Sequence, residues 1–151
     1  MRARAMAIEL LNESKAVCDE VGLQSVAAFA IDAMGVHPES DLSITIVDED
    51  RMSELHIEWM NLPGPTDVLS FPMDELLPHS ASNGPGIIGD IVLCPEFAAK
   101  QGLKHSLADE LSILTIHGVL HCLGYDHAEL EEERVMFALQ DQILVDWKKC
   151  Q

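Results

Sequence analysis

Positive charge is scarce in this sequence. Lysine and arginine together number 9 against 26 aspartates and glutamates, a formal net charge of −17 at pH 7. Nucleic-acid binders usually carry a basic face, because neutralising phosphates supplies much of their affinity. Bulk attraction to phosphate is therefore not what this chain is built on. Its visible cation groups are Arg2 with Arg4, Arg51, Lys100 and Lys104 beside His105, and Lys148 with Lys149. Lys100 and Lys104 could make a local basic patch, but ordinary solvent-facing lysines are the preferred reading. Long apolar runs are also lacking, and none approaches a membrane span. Met1 to Met6 is basic, yet no signal-peptide hydrophobic region follows before Glu9 and Asn12. Cys18, Cys94, Cys122 and Cys150 form no C-x-x-C pair and no disulfide-rich pattern. That fits a reducing compartment, and a cytoplasmic location is expected.

Apolar residues, by contrast, make up 48% of 151 positions, enough for a globular chain with a real core. One domain over residues 1–151 is expected. Its organising stretch is His117-Gly118-Val119-Leu120-His121-Cys122-Leu123-Gly124-Tyr125-Asp126-His127. His117 and His121 are four apart, so a helix puts both imidazoles on one face. Leu123-Gly124 reads as the helix end, since glycine favours the left-handed turn beyond a C-terminus. The chain can then return His127 toward the same point. Three converging imidazoles suit a catalytic zinc, leaving its fourth tetrahedral position for water. A helical histidine pair alone is ambiguous; the third histidine after a glycine turn favours the metal. Cys122 points about 100° away from His121 and reads as a small core residue.

The spacing H-x-x-x-H-x-x-G-x-x-H resembles the metzincin zinc-protease motif. In that motif a glutamate follows the first histidine and acts as general base. Here the residue is Gly118, which moves no proton, so a protease mechanism is not expected.

The eleven residues more closely resemble the YbeY family signature, H-G-x-L-H-L-x-G-Y-D-H, departing only at Cys122. Pro65-Thr66-Asp67-Val68-Leu69-Ser70-Phe71-Pro72 resembles the family's PTDVLSFP segment, and Gly89-Asp90-Ile91-Val92-Leu93 its G-D-I-V-I strand. The resemblance runs from about Ile8 to the end. It implies a single-strand-specific, metal-dependent endoribonuclease acting in 16S ribosomal RNA maturation and ribosome quality control. Many members carry Tyr-Arg-Gly upstream of PTDVLSFP, with the arginine implicated in activity. Here that stretch is Trp59-Met60-Asn61, and methionine cannot stabilise a phosphate charge. Either another cation takes the role, with Arg51 a weak candidate, or this protein cleaves RNA poorly.

Along the chain, 7–11 reads as a strand. Positions 19–34 read as a helix whose regular part starts after Gly22, with Ser25 as a cap and Gly35 as the stop. Leu42, Ile44 and Ile46 alternate with Ser43, Thr45 and Val47 as a strand. Asp48-Glu49-Asp50 is read as the acidic start of a helix over 51–60 rather than a cation site. Positions 66–72 and 86–94 are expected to pair antiparallel, and the earlier strands to pair parallel. The loop between them carries His79, whose role as a fourth ligand is not favoured. A short helix over 95–102 follows. Ser106 to Asp109 has the form of a capping box, and the helix over 111–123 is apolar all round and so buried. A final amphipathic helix over 128–149 has Leu130, Met136, Leu139, Ile143 and Trp147 at helical spacing.

The expected class is α/β (α+β): a small mixed sheet of about four strands with about five helices and a metzincin-like zinc helix. One Zn²⁺ is expected on His117, His121 and His127, with the catalytic proton carrier unassigned. Asp126 is read as orienting a ligand histidine rather than as a base, and Asp67 as capping its own turn. The expected function is zinc-dependent endoribonuclease action on single-stranded, ribosomal RNA, with ribosomal proteins or an assembly GTPase as partners and neither membrane nor DNA. The alternative is a zinc-containing ribosome-assembly binding module with little nuclease activity, which the acidic charge and Met60 favour. The open three-histidine site favours the enzyme, because structural zinc sites are usually closed by four protein ligands.

Overall fold

The computed structural model describes residues 8–151, so the expected Arg2/Arg4 group and the first residue of the expected opening strand lie outside it. The chain runs β1 (Ile8–Asn12), α1 (Glu20–Ala33), β2 (Asp41–Ile46), α2 (Glu49–Met60), β3 (Val68–Pro72), β4 (Ile87–Leu93), α3 (Pro95–Ala99), α4 (Leu107–Cys122) and α5 (Leu130–Lys149). The sheet order is β1-β2-β4-β3. β1 pairs parallel with β2 and β2 with β4, while β3 and β4 are antiparallel. The expected α/β class, with a four-stranded mixed sheet and five helices, is what is found.

Strand alternation sets the two faces. Leu42, Ile44, Ile46, Ile91 and Leu93 are buried in one large cluster with residues of α1, α4 and α5. Ser43, Thr45, Asp90 and Val92 point the other way. There α2 covers a smaller cluster of Val47, Met52, Leu69, Val92 and Cys94. Beside it runs a groove of about 690 Å³, whose walls include Trp59, Phe71, Asp90 and Arg51. Gly89 lets β3 and β4 come this close: at φ +151°, a Cβ there would lie 2.3 Å from the Phe71 carbonyl oxygen.

Several element ends differ from expectation. α1 starts at Glu20, ahead of Gly22, because the Asp19 carboxylate accepts the Gly22 N–H at 3.0 Å. Ser25 is no cap; its hydroxyl accepts the Trp147 indole N–H at 3.1 Å. α2 begins at Glu49, so the acidic triplet spans its cap and first turn. α3 stops at Ala99, three residues before Gly102. α5 begins at Leu130, which is 85% exposed and does not join the inward stripe of Met136 and Ile143. Ser106 does cap α4, its hydroxyl accepting the Asp109 N–H at 3.1 Å.

Candidate metal centre

α4 carries the site because its two sides meet different neighbours. The side of Gly118 lies on the sheet. A Cβ there would approach Ile91 Cδ1 to 2.8 Å and Cγ1 to 3.0 Å, so any larger residue would need the Ile91 side chain to shift. Gly118 occupies the position that holds glutamate in zinc proteases. A longer side chain there would enter the core beside Ile91, not the space between the histidines.

The other side presents His117 and His121. The helix ends at Cys122; Gly124 takes φ +98°, and the Tyr125 N–H returns to the Leu120 carbonyl at 3.1 Å. The chain thereby doubles back, and the Asp126 carboxylate accepts the His127 N–H at 2.7 Å. His117, His121 and His127 each offer a ring nitrogen, all within 4.8 Å of one another. Their ring centroids are 4.9, 5.4 and 5.2 Å apart.

Protonation favours metal binding here. Burial pushes the His117 pKa down; the Gln140 hydrogen bond and the Asp67 charge oppose that, and His127 adds to it. Burial also lowers the His121 pKa, helped by the two neighbouring imidazoles and opposed by Asp126 and the Tyr125 backbone. Both rings are therefore neutral at pH 7, with a lone pair to give. His117 Nδ1 lies 2.8 Å from Gln140 Oε1 on α5. An amide oxygen only accepts, so Nδ1 carries the hydrogen and Nε2 keeps the lone pair. A donor set of three imidazoles, two of them neutral and one with its tautomer fixed from behind, fits a single divalent cation.

Sequence reasoning had Asp126 orienting a ligand ring. Asp126 instead holds the His127 backbone, and the side chain that hydrogen-bonds a histidine of the cluster is Gln140, at His117. The signal was a polar residue on the inward side of α5, between Met136 and Ile143. Phe137 was also missed; its ring centroid lies 6.1 Å from that of His117 and 6.2 Å from that of His127. Asp67 Oδ1 lies 3.4 Å from the Thr66 hydroxyl. His79 is exposed, with its N–H bonded to the Met34 carbonyl, and is not part of the cluster. Cys122 is buried beside Gly89, and burial, with Asp90, pushes its thiol up to about 12. It is a packing residue.

The cation candidates lie elsewhere. Arg51 pairs with Glu54 and lines the groove on the sheet face opposite α4. Lys100 turns to Glu49 at the start of α2, at 2.7 Å, rather than joining Lys104 in a patch. Met60 ends α2 and is half-exposed.

The family model described as endoribonuclease YbeY matches residues 10–148. The chain belongs to the YbeY family. It is 59% identical to the endoribonuclease YbeY of Nocardia farcinica, over 94% of this chain and 80% of that protein. With the endoribonuclease YbeY of Thermobifida fusca it shares 51% identity over 95% and 96% of the two chains. The solution structure of a Thermotoga maritima protein superposes with a TM-score of 0.61 at 26% identity, covering 93% of this chain and 88% of that one. Among the described residues no helix is long and apolar enough to cross a membrane.

Proposed function

We propose that this YbeY chain, acting as one domain over residues 1–151, is a zinc-dependent endoribonuclease for single-stranded RNA. In this reading it acts in the cytoplasm, in 16S ribosomal RNA 3′-end maturation and ribosome quality control. Ribosomal proteins or an assembly GTPase would bring it to its substrate, which offsets its acidic charge. The observation that carries the reading is the convergence of His117, His121 and His127 in a member of this family.

The three histidines would hold one Zn²⁺ through ring nitrogens. When bound, such an ion activates water for attack and offsets charge on phosphoryl oxygens. The chain's own residues set the rest. Gln140 fixes the His117 tautomer and ring plane. Asp126 locks the turn that delivers His127. The negative charges of Asp67 and Asp126 act on His117 and His121 respectively, making the rings better electron donors. Gly118 closes the route to a protease-type base, so peptide hydrolysis is not expected.

Met60, in place of the family's arginine, favours the weaker alternative of a ribosome-assembly module that holds zinc but cuts little. One experiment separates the two: cleavage of labelled single-stranded RNA by the wild type and His121→Ala, purified in parallel from a host lacking its major ribonucleases. Cleavage by the wild type alone supports the enzyme. Equal cleavage by both identifies a contaminant. No cleavage by a wild type that retains one metal per chain supports the module.

A further inference from the structure

The α5 helix gives the histidine cluster two things, and only Gln140 is explained by metal binding. Phe137 lies three residues earlier, 60° round the helix from Gln140 and further from the core. Its ring packs beside His117 and His127, yet the residue remains 40% exposed. As a mere wall for the imidazoles, an aliphatic side chain would serve equally well. A flat aromatic surface, open to solvent at the edge of the site, is what a nucleobase stacks on.

The charge balance points the same way. A strand held near the histidines gains little from cations, because the net charge is −17 and Arg51, Lys100, Arg134 and Lys148 already sit in ion pairs. Stacking on an aromatic ring needs no positive charge, tolerates any base, and requires a base free of a duplex.

We propose that Phe137 is a stacking platform for an unpaired base next to the phosphodiester held at the histidine cluster. This rests on the RNA reading above and adds to it a substrate-binding residue and a physical basis for single-strand preference. A paired base has its faces covered by its neighbours and cannot lie on the ring.

The test uses full-length, metal-loaded protein and short single-stranded RNAs carrying 2-aminopurine at one position at a time. Fluorescence is read by stopped flow, ahead of cleavage. Stacking on Phe137 predicts quenching at one position in the wild type. Phe137→Leu should lose that quench and bind about 5- to 150-fold more weakly, the effect of one lost base stack. Phe137→Trp should keep both, with metal content unchanged in each variant. A strand with an abasic residue at that position should bind wild type and Phe137→Leu equally. That strand also tests the wild type alone, which must bind it more weakly than the intact RNA. Undiminished quenching in Phe137→Leu, a loss of affinity that persists on the abasic strand, or loss of metal with affinity would each overturn the stacking role and leave the RNA reading standing. A wild type that binds none of the strands would instead sink the RNA reading and this inference with it.

Discussion

His117 and Gly118 are neighbours in the chain, and α4 sends them into opposite surroundings. On the Gly118 side the helix meets the sheet at Ile91, so closely that a Cβ would force the Ile91 side chain to move. That contact is governed by volume, as close-packed interiors are. On the His117 side the helix meets α5 through a directed hydrogen bond to Gln140 and an aromatic contact to Phe137. That contact is governed by orientation. Damage to the first should therefore appear in stability, and damage to the second in metal affinity and RNA handling.

The strongest way to break the orientation side is to remove one of the three clustered histidines. His121→Ala should lower both bound metal and RNA cleavage by more than ~100-fold, beyond what losing an outer hydrogen bond does. Metal analysis and a cleavage assay on one preparation check this. Gln140→Leu should weaken metal affinity by about 10- to 100-fold while leaving the melting temperature of the metal-free protein nearly unchanged. Gln140→Glu, which keeps an acceptor for His117 Nδ1, should restore most of the affinity.

The volume side is broken by Gly118→Glu. The added side chain collides with Ile91 and buries a carboxylate, at a cost of about 3 kcal/mol. Melting should drop by about 6–12 °C. Casein should still not be cut, because the new carboxylate lies on the wrong side of α4.

The smallest effect is on pH dependence. His117 and His121 have folded pKa values below their ordinary 6.5, so below that pH the unfolded chain binds more protons than the folded one. Metal-free protein should keep its full stability above about pH 6.5 and lose it as pH falls from there through the lowered folded values. Melting curves between pH 7.5 and 5 would show the slope, and the double variant His117→Ala, His121→Ala should flatten it.

Much of the fold was legible because its signals are local. Leu42, Ile44 and Ile46 alternate cleanly, the Ser106 cap is a sequence pattern, and Gly124 marks a helix end. The histidine cluster was legible because a helical pair, a glycine turn and a third histidine lie within eleven residues. What was missed depends on tertiary contacts. Gln140 lies 23 residues from His117, and its polar place on the inward side of α5 does not say which residue it meets. Leu130 has helical spacing, but α5 has too little protein beside its first turn to cover it. The Gly22 rule failed because the Asp19 cap outweighed glycine's poor helix propensity.

In the proposed function, one ion on His117, His121 and His127 is what lets this protein cut RNA. The most direct measurement is to strip the protein with chelator, add Zn²⁺ back in steps, and follow bound metal and RNA cleavage together. Stripped protein should be inactive, and cleavage should rise with occupancy to a plateau at one ion per chain. Full cleavage by stripped protein, or cleavage indifferent to occupancy, would contradict it.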